Sequence, residues 1–152
     1  MDRIEELEEL AECNNIVIDY TCPASLVAMS VCFSNGKKII SISRPNKEFC
    51  EYPERSSSTE LERLSHEMGH CITDSFYSPY ASKIERGKHE YRANKWAINY
   101  LIPFDELQLA VNQGNYELWQ LAEYFEVSPS FVEKAITYHE SHGKEVELRA
   151  KF

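Results

Sequence analysis

Residues 64–73, LSHEMGHCIT, constrain the fold more than any other segment because they place two histidines four positions apart. The surrounding pattern predicts a helix from about residue 59 to 73. Side chains four residues apart lie on one face of a helix, one turn above the other. The imidazoles of His66 and His70 would therefore reach a single metal ion at ~2.0–2.1 Å from each nitrogen.

Glu67 follows the first histidine directly and lies ~100° around the helix from it. That angle makes it a poor third ligand on the histidine face. Its carboxylate can instead hold a water beside the metal and take its proton. An apolar stripe lies roughly opposite the histidines, with Cys71 at its border, and consists of Leu61, Leu64, Met68 and Ile72. The alternative is a helix that carries two histidines without a metal.

A third ligand is available downstream, in HEYRANKWAINYLIP at residues 89–103. We predict a helix there from about residue 85 to 102, with an apolar stripe of Ala93, Trp96, Ala97, Tyr100 and Leu101. Glu90 precedes Ala93 by three and shares this face, where a carboxylate is costly unless it is paired or bound to a metal. The alternative is an exposed first-turn glutamate that favours the helix dipole. Small Ala93 and Ala97 would let the two helices approach closely, and Asn94 could hydrogen-bond a ligand histidine.

These motifs together resemble a known family. H-E-M-G-H followed by E-x-x-A-N-x-W-A and a short apolar run to Pro103 resembles the ImmA/IrrE family of zinc metallopeptidases, most strongly over residues 39–103. The nineteen residues between His70 and Glu90 are similar to the spacing of the wider gluzincin group. The resemblance implies one Zn²⁺ per chain held by His66, His70 and Glu90, with Glu67 as general base. It also implies an intracellular enzyme that cleaves a helix-turn-helix repressor of a phage or mobile element.

Residues 26–43 form the clearest predicted hairpin, because Asn35-Gly36 is a strong signal for a type I′ turn. A two-residue loop at this position pairs Val31 with Ile40 and Met29 with Ile42. We therefore expect these four apolar side chains on one face of the sheet.

The second strand of this hairpin, residues 38–43, precedes the histidine helix. Peptidases of this build bind an extended substrate along an edge strand by backbone pairing. We therefore predict substrate contacts at Lys38, Ile40 and Ile42. The alternative is ordinary sheet structure without a role in binding.

The remaining elements place strands early and helices late, which predicts an α+β, zincin-like fold. Further elements are an amphipathic helix in the first dozen residues, a strand at 15–20, a loop at 44–57 and helices at about 104–112, 115–125 and 129–141. Capping boxes at Thr59-x-x-Glu62 and Ser57-x-x-Glu60 and an N-cap at Ser128 mark helix starts. We expect one domain over residues 1–152, with a core at 1–112, a helix-turn-helix-like part at 113–142 and a tail at 143–152.

Charge and targeting signals limit the partners and the compartment. The net charge of −9 comes without a basic cluster, and the helix-turn-helix-like residues 120–136 hold Lys134 as their one strong base, so direct nucleic-acid binding is not expected. No apolar run approaches the ~20 residues of a membrane span. The acidic N-terminus lacks signal-peptide features and the five cysteines form no C-x-x-C pair, so we expect a cytoplasmic protein.

Two functions from different classes fit the sequence. The first is a zinc endopeptidase, and the second is a metal-stabilised regulatory module that binds and sequesters a repressor without cleaving it. Glu67 favours the first, since a purely structural metal site has no use for a base. Which tyrosine stabilises the oxyanion stays open among Tyr77, Tyr80, Tyr91 and Tyr100.

Overall fold

A computed structural model describes residues 2–21, 28–43 and 58–146, and shows the predicted α+β architecture. The elements in chain order are α1 (Arg3–Cys13), β1 (Ile16–Asp19), β2 (Ala28–Cys32), β3 (Lys38–Ile42), α2 (Glu60–Ile72), α3 (Lys83–Leu101), α4 (Phe104–Asn112), α5 (Leu118–Phe125) and α6 (Pro129–Ser141). Within these residues, no helix is both long enough and apolar enough to cross a membrane. The predicted loop at 44–57, with the capping box at Ser57, lies outside the described residues.

Helix starts follow the predicted capping chemistry. Thr59 accepts a hydrogen bond from the Glu62 amide, and the Glu62 carboxylate accepts one from the Thr59 amide, which completes the capping box of α2. Ser128 caps α6, whose first turn holds a proline. α3 begins slightly earlier than predicted because Ser82 caps it by accepting from the Glu85 amide.

The predicted register of the hairpin is wrong by one residue. Met29 pairs with Ser41 and Val31 with Ile39, because the loop has three residues rather than two. The Gly36 amide donates to the Phe33 carbonyl at 2.9 Å, and the Phe33 amide donates to the Lys37 carbonyl at 2.8 Å. Gly36 has φ = 86°. Asn35 therefore belongs to the turn, and Gly36 follows it in the left-handed conformation that glycine adopts readily.

This slip changes which side chains enter the core, because the side-chain period of a strand is two. Ile40 and Ile42 are fully buried and lie opposite Ser30 and Ala28. Met29 lies on the other face and is 42% exposed.

β3 is the central strand of the sheet, whose order is β1-β3-β2. It pairs in parallel with β1 and antiparallel with β2, so both of its edges are occupied. The prediction that residues 38–43 form an edge strand is therefore wrong. Among the described residues, β2 is the edge strand on the side away from β1.

The core lies around α2, which packs against the sheet on one of its sides and against α3 on another. Leu64 and Met68 of α2 are fully buried, and the same apolar cluster continues through α4, α5 and α6. α2 and α3 approach closely at Gly69, where an added Cβ would lie 2.5 Å from the Ala93 carbonyl oxygen. Ala93 and Ala97 are both fully buried, as their small size predicted.

Candidate metal centre

The two histidines of α2 and Glu90 of α3 converge on one point. His66 Nε2 lies 3.2 Å from His70 Nε2 and 3.0 Å from Glu90 Oε2. His70 Nε2 lies 3.3 Å from Glu90 Oε1. These three groups form a cluster that could hold a metal ion, in agreement with the ligand set predicted from spacing.

The second nitrogen of each ring has its own partner. His70 Nδ1 lies 2.6 Å from the Ser75 carbonyl oxygen, and a carbonyl can only accept, so Nδ1 carries the hydrogen. His66 Nδ1 lies 2.8 Å from Asn94 Oδ1, the hydrogen bond predicted for Asn94. With each Nδ1 held in this way, both Nε2 atoms face each other and a carboxylate. A cation between the three groups would satisfy all of them at once.

The spacing suits zinc. Ligand atoms at ~2.0–2.1 Å from a tetrahedral Zn²⁺ are separated by about 3.3 Å from one another. The observed separations of 3.0, 3.2 and 3.3 Å are close to that value. Two imidazoles and one carboxylate also leave the fourth position open, which is the pattern of catalytic rather than structural zinc sites.

Glu67 lies beside this cluster in a cavity of about 540 Å³. It is 8% exposed, although a carboxylate is costly to bury without a partner. The cavity is also lined by His70, Glu90 and Tyr77, and its opposite wall is the whole length of edge strand β2. A molecule placed along β2 would therefore lie next to both Glu67 and the ligand cluster.

Comparison with known proteins identifies the family. The family model Peptidase_M78, the IrrE N-terminal-like domain, matches residues 37–137. The chain belongs to this family. The match includes β3, the ligand-bearing helices α2 and α3 and most of α6, and supports a peptidase. Neither the curated proteins nor the solved structures gave a significant match.

Tyr77 is the tyrosine that contacts a ligand in this IrrE-like domain. Its hydroxyl donates to Glu90 Oε1 at 2.7 Å, and this bond, more than burial, raises the pKa of Tyr77 above its usual range. Its ring stacks on His89 and lies beneath the Arg86 guanidinium. Of the other candidates, Tyr80 is 95% exposed and Tyr100 stacks on Trp96.

The three residues predicted as substrate contacts on β3 lie away from the cavity of this M78 domain. Lys38 Nζ donates to the Cys71 carbonyl at 2.8 Å and pairs with Asp74 at 2.6 Å, so it holds the end of α2. Ile40 and Ile42 are core residues. None of the three lines the cavity, because they belong to the central strand. The edge-strand position beside the cavity, which was expected of β3, belongs to β2.

The contacts of Ser75 and Tyr77 lay beyond sequence reasoning. Both residues belong to the turn and loop after α2, where no periodic pattern predicts which groups face inward. Gly69 was missed although a glycine in a helix interior often marks a close packing contact. It provides the α2 side of the close contact that Ala93 and Ala97 predicted.

Proposed function

We propose that this chain is a zinc-dependent endopeptidase that cleaves a peptide bound along β2. The observation that carries the proposal is the convergence of both Nε2 atoms on the Glu90 carboxylate, with both Nδ1 atoms already hydrogen-bonded. A base beside these groups, in a cavity bordered by an edge strand, supports hydrolysis rather than a purely structural metal site.

His66, His70 and Glu90 would hold the ion, with Asn94 and the Ser75 carbonyl fixing the two rings. Zinc bound at this position would supply a Lewis acid that polarises the scissile carbonyl and lowers the pKa of a bound water toward ~7. Glu67 accepts the proton of the attacking water and passes it to the leaving amine. Tyr77 holds the Glu90 carboxylate in its ligand orientation through the 2.7 Å hydrogen bond.

The substrate binds in an extended conformation. An edge strand offers unpaired backbone amides and carbonyls, and a peptide that adds to it gains hydrogen bonds without regard to sequence. β2 forms one wall of the cavity and Glu67 lies in the same cavity, so this pairing would place a scissile peptide bond beside the base and the ligand cluster. This build accepts an unfolded or locally unfolded segment and excludes a peptide bond inside a helix.

The proposed substrate is a helix-turn-helix repressor of a phage or mobile element, cleaved in the cytoplasm. The support is the resemblance of H-E-M-G-H and E-x-x-A-N-x-W-A to the ImmA/IrrE peptidases, together with membership of the M78 family. The regulatory alternative is sequestration of a repressor without cleavage. The presence or absence of cleavage products distinguishes it from this proposal.

The test is an unbiased cleavage assay. Purified protein with one equivalent of zinc is incubated with a peptide library made from a digested proteome, and new termini are identified by mass spectrometry. Parallel samples contain Glu67→Gln or a chelator. We expect new termini with the zinc-loaded chain alone. Equal products in all three samples, or none in any, would overturn the proposal.

The substrate class is tested separately by adding a repressor encoded next to this chain. Defined fragments that appear with the zinc-loaded protein and not with Glu67→Gln support repressor cleavage. A stable complex without fragments, from a chain that does cleave library peptides, would instead assign sequestration as the outcome for that partner.

A further inference from the structure

α5 presents two aromatic rings to solvent at a distance in sequence from the metal centre. Trp119 is 57% exposed and Tyr124 is 44% exposed. Both line a shallow cavity of about 420 Å³, whose other walls are Asn115, Gln120 and Glu123. Exposed tryptophan and tyrosine in one concavity are typical of binding surfaces, where these residues contribute most of the affinity.

Helical geometry explains why the rings share a surface. Leu121, Ala122 and Phe125 are buried and fix the inward face of α5. At ~100° per residue, Trp119 and Tyr124 flank the opposite face, and Glu123 projects between them. One edge of the Tyr124 ring contacts the buried Phe125, and both rings remain exposed on the side where Glu123 lines the same cavity.

α5 and its two cap residues carry charge of one sign. Residues 117–126 hold three acidic residues, Glu117, Glu123 and Glu126, and no Lys or Arg. Glu123 is the carboxylate that lines the cavity. Such a helix attracts a cationic partner and repels an acidic one.

We propose that this face of α5 is a docking surface for a basic amphipathic helix of a partner protein. A guanidinium or ammonium group binds the faces of Trp and Tyr rings through their quadrupoles, and a neighbouring carboxylate adds a direct ion pair. An arginine of the partner therefore inserts between Trp119 and Tyr124 and pairs with Glu123, while apolar side chains of the same helix cover the ring edges.

The inference deepens the proposed peptidase function, because a surface apart from the cavity at β2 would recruit a basic substrate before cleavage. Binding is measured without cleavage, so the two proposals fail independently. A loss of docking leaves cleavage of short library peptides unchanged, whereas loss of the metal centre leaves docking unchanged.

The test uses fluorescence anisotropy with a labelled synthetic helix of about 16 residues that carries Arg on one face and Leu on the other. A second peptide has Glu in place of every Arg. The full chain is compared with Trp119→Ala and Glu123→Lys. The matched controls are Tyr80→Ala, which removes another exposed ring, and Glu12→Lys, which makes the same charge change on α1.

We expect the Arg peptide to bind and the Glu peptide not to bind. Trp119→Ala and Glu123→Lys should each raise the dissociation constant by about tenfold or more, as hot-spot residues do, whereas both controls should remain within about twofold of the parent chain. Equal weakening by Trp119→Ala and Tyr80→Ala would overturn the proposal. So would a dimer of the chain that Trp119→Ala converts to monomer, because the occupant would then be a second copy.

Discussion

At the scale of single residues, Glu67 has the position that a catalytic metal site requires of its base and that a purely structural metal site does not require. Glu67 lies in the cavity beside the ligand cluster, yet it is not a member of that cluster. We expect Glu67→Gln to bind zinc as the parent chain does, because the amide preserves the shape of the side chain and leaves all three ligands in place. Loss of general base catalysis should lower kcat by about 10²–10⁴-fold.

Zinc content by elemental analysis and cleavage of a library-derived peptide measure the two effects of Glu67→Gln. Glu85→Gln, an exposed substitution on α3, should change neither. A Glu67→Gln protein that retained full activity with zinc bound would remove this residue from the mechanism.

The hydrogen bond from Tyr77 to Glu90 gives a second residue-scale prediction. Tyr77→Phe removes the hydroxyl that donates to Glu90 Oε1 at 2.7 Å and retains the ring. We expect zinc affinity to fall by about 10–100-fold, the usual cost of losing a group that orients a ligand. Competition with a chromophoric chelator measures this affinity, and Tyr80→Phe, at a 95% exposed position, is the control.

A different outcome for Tyr77→Phe would reassign the hydroxyl. Unchanged zinc affinity together with a lower kcat would mean that Tyr77 contacts the substrate and does not orient the ligand. The sequence alone could not rank the four tyrosines, because this contact depends on how the loop between α2 and α3 folds. The pairing of His66 with His70, by contrast, follows from helical periodicity, and Glu90 was predicted from its place on an apolar face and from the family resemblance.

At the scale of elements, the contact between α2 and α3 sets the geometry of the ligands, since each helix contributes part of the cluster. Gly69 allows this contact, because a Cβ there would lie 2.5 Å from the Ala93 oxygen and 2.9 Å from its Cα. These neighbours are backbone atoms of α3 and cannot rotate away. Gly69→Ala should lower the free energy of unfolding by about 1–3 kcal/mol, as overpacking does, and should also weaken zinc binding.

Gly87→Ala is the matched control for Gly69→Ala. Gly87 lies in α3, and a Cβ added there would have nothing within 4 Å, so alanine should stabilise the helix by up to about 1 kcal/mol. Urea unfolding of the zinc-free proteins measures both changes. Similar stabilisation by the two substitutions would show that α2 and α3 separate at little cost.

At this scale, the register and the strand order of the sheet were not predicted correctly from the sequence. Asn35-Gly36 marked the turn correctly, but the pair suits both a two-residue loop and a three-residue loop ending in a left-handed glycine. Burial decides between them, because Met29 would share the buried face of Ile40 and Ile42 in the first register, whereas it is 42% exposed in the second. The parallel pairing of β1 with β3 is non-local, so no local pattern predicted that β3 would be central.

At the scale of the whole molecule, the C-terminal helices are joined to the helix that carries the histidines. Ser128, the N-cap of α6, donates to Glu62 Oε1 at 2.7 Å, and Thr59 Oγ1 donates to the Glu126 carbonyl at 3.2 Å. Glu62 and Thr59 also form the capping box of α2. The start of α2 therefore depends on the α5–α6 turn, and the segment predicted as helix-turn-helix-like shares the apolar cluster of the rest of the fold.

His139 links α6 to the end of α3 and makes the stability of the whole fold depend on pH. It is 1% exposed, and its Nε2–H donates to the Ile102 carbonyl at 2.8 Å. Burial lowers the pKa of His139 below its usual range. The Ile102 hydrogen bond opposes this shift, and the nearby charges of Lys144 and His142 add to it. The folded chain thus holds this ring neutral at pH values where the unfolded chain protonates it.

The sign of the pH effect follows from proton binding. Below about pH 6.5 the unfolded state binds a proton that the folded state does not, so the free energy of unfolding falls as pH falls, by at most about 1.4 kcal/mol per pH unit. Urea unfolding in chelator at about pH 7.5 and 5.5 measures this loss while the metal centre stays empty of zinc in every sample. His139→Gln should lose less stability than the parent over this interval. His142→Gln removes one of the charges that lower the pKa of His139, so its loss should fall between those of the parent and His139→Gln. An unchanged slope in His139→Gln would mean that the ring accepts a proton in the folded state and that burial does not hold it neutral.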